Sequence, residues 1–451
     1  MFTVISGGTS TNELVNLFES ISNSVSYILP ISDNGGSTSE LIRVIGGPAI
    51  GDVRSRITRL IPNPVYKHFF SYRLPEEEQQ AEIEWNEIVS GTHQVWKNIE
   101  LPIKELIRSF LIHIHMELLK KSRPGARNFN FAKASIGNMF LSGARLFVGS
   151  LDSAIELMLR ICNIPQNTSI LPCLNTNFTY HISAVLEDGS IITGQSQISH
   201  PISKTVKDQN FEISSTNGQN TPTPSSHTAS SFNDYQMIRK LLIDNHERDN
   251  ENEFAVPVYT HPELTKSQLH FTKDDSIPLP SPIRRVFYIS PYGEEVFPVA
   301  QSRVIKAVDS AETVVYSIGS LFTSIIPVLI LQGMGQAILS KKRGNKVLLL
   351  NGSYDRETFT MTALDFVKHI HEALDYSMSL QNGKLSKTKR TKYRDFITHV
   401  FYPEQGEILV DADELAQHGI KGVPVKGQST YDLDDLEMKL SIIHNKVLFT
   451  N

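Results

Sequence analysis

The sequence predicts a doubly wound α/β fold: a mainly parallel sheet with helices on both faces. Three observations lead there. Short runs of β-favouring residues alternate with stretches of helical periodicity along most of the chain, as in repeated strand–helix–strand units. Nearly all of those runs are continuously apolar, the pattern of strands covered on both sides. Two of them, at residues 3–6 and 25–32, pass through a Gly-Gly pair directly into a helical pattern.

The first unit sets the grammar. Thr3-Val4-Ile5-Ser6 is a strand, Gly7-Gly8-Thr9-Ser10-Thr11-Asn12-Glu13 a turn, and Leu14, Leu17, Phe18 and Ile21 fall at the i, i+3, i+4, i+7 spacing of a helix. Ser10 with Glu13 predicts a capping box, so the first helical N–H groups point back at the glycines. Such a turn is an anion cradle, because N–H donors and the positive helix end converge where no side chain keeps a phosphate away. The second unit repeats this. A strand at 25–32 runs into Asp33-Asn34-Gly35-Gly36-Ser37, with Ser37 and Glu40 as a second capping box before Leu41, Ile42, Val44 and Ile45.

Gly51-Asp52-Val53-Arg54 then opens a helix carrying Val53, Ile57, Leu60 and Ile61. Residues 62–101 change character, with Pro62, Pro64, Pro75, the run Glu76-Glu77-Glu78, Trp85 and Trp96, and read as a partly helical insertion. Helices are predicted at 102–121 and 135–161, the second broken at Gly149-Ser150. A strand at 169–174 precedes two runs flanking Glu187-Asp188-Gly189, a hairpin signal and hence an antiparallel addition. Ser, Thr, Asn, Gln and Pro dominate from 203 onward, and residues 203–282 read as a largely disordered insertion with a short helix at 234–245. Order returns with strands at 285–289, 313–318 and 346–350, helices at 300–309, 321–339 and 360–377, a basic loop at 382–394, and a last unit built from 397–402, 411–418 and 422–425. The whole chain, 1–451, is expected to form a single α/β domain around these insertions.

Composition narrows the function. Lys and Arg number 43 against 48 Asp and Glu, a net charge of −5, which gives no support for a nucleic-acid or membrane-surface partner. The two cysteines, Cys162 and Cys173, form no CxxC, so a reducing, cytoplasmic setting is expected, in keeping with a first strand that has no secretory leader before it. Residues 321–339 contain Pro327, Gln332, Gly333, Gly335 and Gln336 and lack the ~18 uninterrupted apolar residues of a membrane span. His369 and His371 lie two apart on a helix, as do His113 and His115, and so cannot share a metal. There is no nucleophile elbow, no G-x-G-x-x-G and no G-x-x-x-x-G-K-[ST].

Three strand-to-helix turns remain: Gly7 to Asn12, Asp33 to Ser37, and Gly319 to Ser324. In a parallel sheet all three lie at the carboxyl ends of strands, where such folds bind ligands. Ser320, Thr323 and Ser324 add hydroxyls to a helix start, suited either to phosphate oxygens or to capping. Asp33 is expected to stand over the phosphates, binding Mg²⁺ or taking a proton from an attacking hydroxyl, the alternative being a cap on its own turn.

In order, Gly7-Gly8-Thr9, Asp33-Asn34-Gly35-Gly36-Ser37, Gly51-Asp52-Val53-Arg54, Gly137-Asn138, Gly194-Gln195-Ser196, Gly319 to Ser324, and Asn351 with Glu357-Thr358 resemble the motifs of the CofD/YvcK family. That family includes the 2-phospholactate transferase of deazaflavin-coenzyme synthesis and the bacterial gluconeogenesis factor. The likeness covers most of the ordered chain. It implies a Rossmann-like fold binding a nucleoside diphosphate or its conjugate, GDP- or UDP-linked, and leaves a homodimer open. On this likeness Gly7, Gly8, Thr9, Thr11, Asn12, Asn34, Gly35, Gly36, Ser37, Asn138, Gly319, Ser320, Thr323, Ser324 and Asn351 are the expected nucleotide-binding residues. Asp33 would be catalytic and would hold Mg²⁺ in a transferase, whereas YvcK-type members bind a nucleotide sugar and regulate carbon use. Ile318 stands where many members have Pro, Ser10 where Gly is usual, and the insertions are large, which resembles a fungal or other eukaryotic branch.

Overall fold

The protein is described by a computed structural model covering residues 1–32, 35–122, 128–199, 278–290, 293–342, 344–381, 384–385 and 391–448. Asp33 and Asn34, most of the 203–282 insertion with its expected helix at 234–245, and part of the basic loop at 382–394 lie outside the described residues.

The strands are β1 (Phe2–Ile5), β2 (Val25–Leu29), β3 (Thr168–Pro172), β4 (His181–Leu186), β5 (Ile191–Thr193), β6 (Ile283–Ile289), β7 (Glu295–Val296), β8 (Thr313–Tyr316), β9 (Asn345–Leu349), β10 (Leu380–Gln381), β11 (Lys384–Leu385), β12 (His399–Pro403) and β13 (Lys421–Val425). Seven of them make one sheet in the order β13-β12-β9-β8-β1-β2-β3. Every neighbouring pair in it is parallel. The expected doubly wound α/β architecture is thus observed. In β1, β2 and β8 every residue is buried, and since alternate side chains point to opposite faces, both faces are covered. The chain winds outward from β1 through β2 to β3, then returns to the other side of β1 at β8 and winds outward again. That reversal opens a crevice at the carboxyl ends of β1 and β8.

The hairpin predicted around Asp188 is β4–β5, and it belongs to a second, antiparallel sheet, β5-β4-β6-β7. The expected helix at 102–121 is Leu101–Lys121, and the break at Gly149-Ser150 separates Ile136–Val148 from Leu151–Ile161. Gly149 ends the first of these at φ 75° in the left-handed region, and the Ser150 hydroxyl accepts from the Ser153 N–H to start the next. Within 62–101 the helices Pro64–Ser71 and Glu78–Ser90 and the 3₁₀ turn Gln94–Trp96 pack Phe69, Phe70, Trp85 and Trp96 into the core.

Two expectations are corrected. Residues 321–339 are not one buried helix: a π-turn at Leu321–Ile325 leads into Ile326–Leu329, and Gly333, at φ 99°, separates these from Met334–Ser340. Pro327 and Gly333 are the cause, since neither supports a continuous helical ladder. The last αβ unit is followed by a further helix, Leu433–Leu448, whose Leu436, Leu440 and Ile443 carry the i, i+4, i+7 spacing of a buried stripe. It packs His444 flat on Phe2 of the central strand, with ring centroids 4.5 Å apart. Among the described residues no helix is long and apolar enough to cross a membrane.

Candidate functional site

A cavity of about 610 Å³ opens at the strand-order reversal. Gly7, Gly8, Thr9 and Ser10 line it from the end of β1, Gly35 and Ser37 from beyond β2, and Gly319, Ser320, Thr323 and Ser324 from beyond β8. Asn138, from the helix Ile136–Val148, and Asn351, from the end of β9, complete the expected set on its walls. The three turns singled out by their glycines therefore share one cavity. Gly36 begins the helix Gly36–Ile45, while Thr11 and Asn12 lie behind the first corner rather than on the cavity wall.

Their side chains tie the corners together. The buried Thr11 hydroxyl lies 3.0 Å from both the Ser317 hydroxyl and the Ile318 carbonyl, joining the β1 corner to the β8 corner. The Asn12 amide donates to the Ser55 hydroxyl at 3.0 Å, and Arg59 donates to the Asn12 carbonyl at 2.8 Å. Asn351 bonds Gly319 twice, accepting from its N–H and donating to its carbonyl, both at 2.9 Å. Behind the β1 turn the fully buried Arg56 donates to the Gly7 carbonyl at 3.0 Å, the Ser6 hydroxyl at 3.3 Å and the Thr11 carbonyl at 3.3 Å, with its guanidinium 4.8 Å above the Tyr27 ring. Burial holds that guanidinium down at about 10, though still charged at neutral pH.

Both predicted capping boxes are absent. The β1 helix starts as a 3₁₀ turn, Ser10–Leu14, with Thr9 before it and no side-chain cap, and the helix Gly36–Ile45 likewise has none. Ser37 accepts from the Asn138 amide at 3.2 Å, and the Glu40 carboxylate takes the Arg43 guanidinium and the Asn130 N–H instead. The π-turn at Leu321 takes no cap from Ser320 before it, but its Phe322 N–H is met by the Glu357 carboxylate at 3.1 Å. At the β1 corner no side chain caps the first N–H groups, the arrangement in which a bound anion can serve as the cap.

The family model described as 2-phospho-L-lactate transferase CofD matches residues 2–428. The chain belongs to the CofD family. It is 45% identical over 448 residues, 98% of each chain, to an uncharacterized protein of Saccharomyces cerevisiae. It is 26% identical over 145 residues to a putative gluconeogenesis factor of Clostridium acetobutylicum, covering 31% of this chain and 29% of that one. A crystal structure of a UPF0052-family protein from Bacillus halodurans superposes with a TM-score of 0.57 at 16% identity, covering 97% of this chain and 98% of that one. A second structure of that protein gives 0.55 at 16% identity over 99% and 98%. These two show the fold.

Several cavity residues of this CofD-family chain had no role in the sequence reading. Glu357, beyond β9, is buried beneath the β8 corner: its carboxylate accepts from the Phe322 N–H at 3.1 Å, the Thr323 hydroxyl at 2.8 Å and the Ser199 hydroxyl at 2.7 Å. Burial, then the nearby Asp355 carboxylate, pushes its pKa up to about 7. Thr323 is thereby committed inward, to Glu357 and to the Ser320 hydroxyl at 2.6 Å. Arg54, Arg73 and Arg356 supply cations to the walls, and the Nε and Nη1 of Arg356 are buried without a hydrogen-bond partner. Arg54 and Asp52 were legible as part of Gly51-Asp52-Val53-Arg54 at a helix start; nothing local marks Arg73.

Among the described residues no group of three or more His, Cys, Asp or Glu side chains is placed to hold a metal ion. Mg²⁺ asks for less, one or two carboxylates with phosphate oxygens and waters completing the shell. Asp52 supplies one carboxylate on the wall beside Gly7 and Gly8. With that one carboxylate, Mg²⁺ would need phosphate oxygens and waters to complete its shell.

Proposed function

We propose that this chain binds a GDP- or UDP-linked conjugate in the crevice and transfers a phosphorus-containing group from it to a hydroxyl acceptor. The observation that carries the reading is the convergence of three glycine- and serine-rich corners on one cavity at the strand-order reversal. The diphosphate would lie against the backbone of Gly7, Gly8 and Thr9 and the hydroxyls of Ser320 and Ser324. Asp33 would take the proton as the acceptor oxygen bonds to the β-phosphorus; the bond from that phosphorus to the bridging oxygen breaks, releasing the nucleoside monophosphate. Mg²⁺, when bound, would neutralise diphosphate charge. Positioning and charge stabilisation can supply most of such a rate without a covalent nucleophile.

A second reading uses the same cavity without turnover, as a sensor of a nucleotide sugar; the match to a putative gluconeogenesis factor favours it. Thermal shift with GDP, UDP, GDP-mannose and UDP-glucose, with and without Mg²⁺, tests the shared step. A ligand at 100 times its Kd adds about 2.7 kcal/mol of stability. The two readings separate on Asp33→Asn: under the first, transfer is lost while affinity stays within a few fold. Consumption of no conjugate by the wild type, with any acceptor, leaves the second.

A further inference from the structure

We propose that a second cavity, between the helix Pro64–Ser71 and the 3₁₀ turn Gln94–Trp96, is a binding site for a small aromatic carboxylate. Its volume is about 510 Å³, and it shares no lining residue with the crevice. That size is ample for a metabolite, and a wall of rings and aliphatic groups with few polar ones is the usual make-up of such sites. The inference does not depend on what the crevice binds.

Three rings form much of the wall. Val65 and His68 lie a turn apart on the helix, Tyr72 continues that face just past its end, and His93 and Val95 meet them from the 3₁₀ turn. The Tyr72 ring stands edge-on to His68, with centroids 6.2 Å apart and planes at 70°, and lies 5.6 Å from His93 at 58°. Neither pair is stacked flat, so ring faces remain for an inserted aromatic ring to meet edge-on or offset. Two of the three are held in place. The Tyr72 hydroxyl donates to Glu84 at 2.8 Å, and the Nδ1 of the buried His93 accepts from the Val95 N–H at 3.2 Å. A wall fixed before the ligand arrives costs less ordering on binding.

The charge on the wall has one sign. Lys97 is its one permanently charged residue, no Asp or Glu lines it, and the Lys97 ammonium has no ion pair or hydrogen bond among the described residues. Gln94 and Asn98 on either side add carboxamide donors. The Glu84 carboxylate that orients Tyr72 is not on the wall. Burial, and then the bond to Glu84, push the Tyr72 phenol up to about 12, so it brings no negative charge at neutral pH. A molecule with one ring and one carboxylate matches this wall, its ring among Tyr72, His68 and His93 and its carboxylate at Lys97. A bare anion would leave the rings unused, and a neutral arene would leave Lys97 unused.

The chain's two tryptophans, Trp85 and Trp96, both lie in this part of the sequence, and Trp96 sits between the lining residues Val95 and Lys97. Intrinsic fluorescence of the full chain therefore reports on the site, and calorimetry repeats each titration so that a silent fluorophore hides nothing. Phenylacetate, phenylacetamide and acetate separate ring from charge. Phenylacetate is expected to bind saturably, phenylacetamide about three- to fivefold more weakly, the scale of a solvent-exposed ion pair, and acetate not at all. In Lys97→Gln the difference between acid and amide should vanish, in His68→Ala both should weaken, and Lys121→Gln should behave as the wild type. His68 and Lys97 are exposed, so both variants should fold. No saturable binding of phenylacetate, equal affinity for acid and amide in the wild type, or binding of acetate as tight as that of phenylacetate overturns the proposal. So does a preference for the acid that survives Lys97→Gln, or an affinity unchanged in His68→Ala.

Discussion

Gly8 lies so close to Asp52 that a β-carbon at position 8 would sit 2.5 Å from the Asp52 Cα and 2.4 Å from its carboxylate Oδ1. The nearer atom belongs to a side chain, but the backbone contact cannot yield by rotation. The β1 turn and the start of the helix Gly51–Leu60 are therefore in register only with glycine there. Gly8→Ala should destabilise the fold by about 1–3 kcal/mol, the range for overpacking. It should also weaken nucleoside diphosphate binding at least ~10-fold, because the cradle has to move. Urea unfolding and ligand-induced thermal shift measure the two effects separately.

Asn351 is the clamp on the β8 corner. Its side chain meets both polar groups of Gly319, whose φ of 133° only glycine adopts readily. Asn351→Ala leaves both groups short of a partner in a half-buried place, an expected loss of about 1–3 kcal/mol in urea unfolding. Asn351→Asp keeps acceptance from the N–H but sets a carboxylate against the carbonyl, and should fare no better than Ala.

Arg56 serves three oxygen acceptors from a fully buried position. Arg56→Met preserves the apolar volume and strands the carbonyls of Gly7 and Thr11, for an expected cost of about 2–4 kcal/mol. Arg56→Lys should recover little of it, since one ammonium cannot present the planar fork that reaches all three. Denaturant midpoints of the two variants decide this.

Glu357 predicts a pH dependence. Its carboxyl titrates at about 7 when folded, against an ordinary value of 4.5, so between these values the folded chain holds a proton that the unfolded chain has released. The contribution to stability is therefore full below about pH 4.5 and is lost as pH rises through about 7. Urea midpoints of the wild type measured at pH 5, 6 and 7 should carry this downward component. In Glu357→Gln it should vanish, and an unchanged slope in that variant would refute the assignment.

The strands and corners were legible because their signals are local. Continuous apolar runs, paired glycines and helix-period spacing depend only on neighbours along the chain, and they located β1, β2, β8 and β9 and the turns that follow them. The same locality misjudged the hydroxyls and carboxylates. Ser37 and Glu40 have capping-box spacing, but Asn138, 101 residues from Ser37, and Asn130, 90 residues from Glu40, claim them. The helix at Leu433–Leu448 had its periodic stripe in the sequence, and only packing against Phe2 gives that stripe its place.

By itself, then, the sequence determined most of the strands and helices and where glycines leave the backbone uncovered, since those follow from side-chain size, branching and period. Tertiary structure alone decided which polar group meets which: Glu357 under the β8 corner, Arg56 behind the β1 turn, Arg73 brought to the cavity wall from beyond the helix Pro64–Ser71. A hydrogen bond forms with the nearest suitable atom in space, and that distance exists only after the sheet has wound both ways from β1.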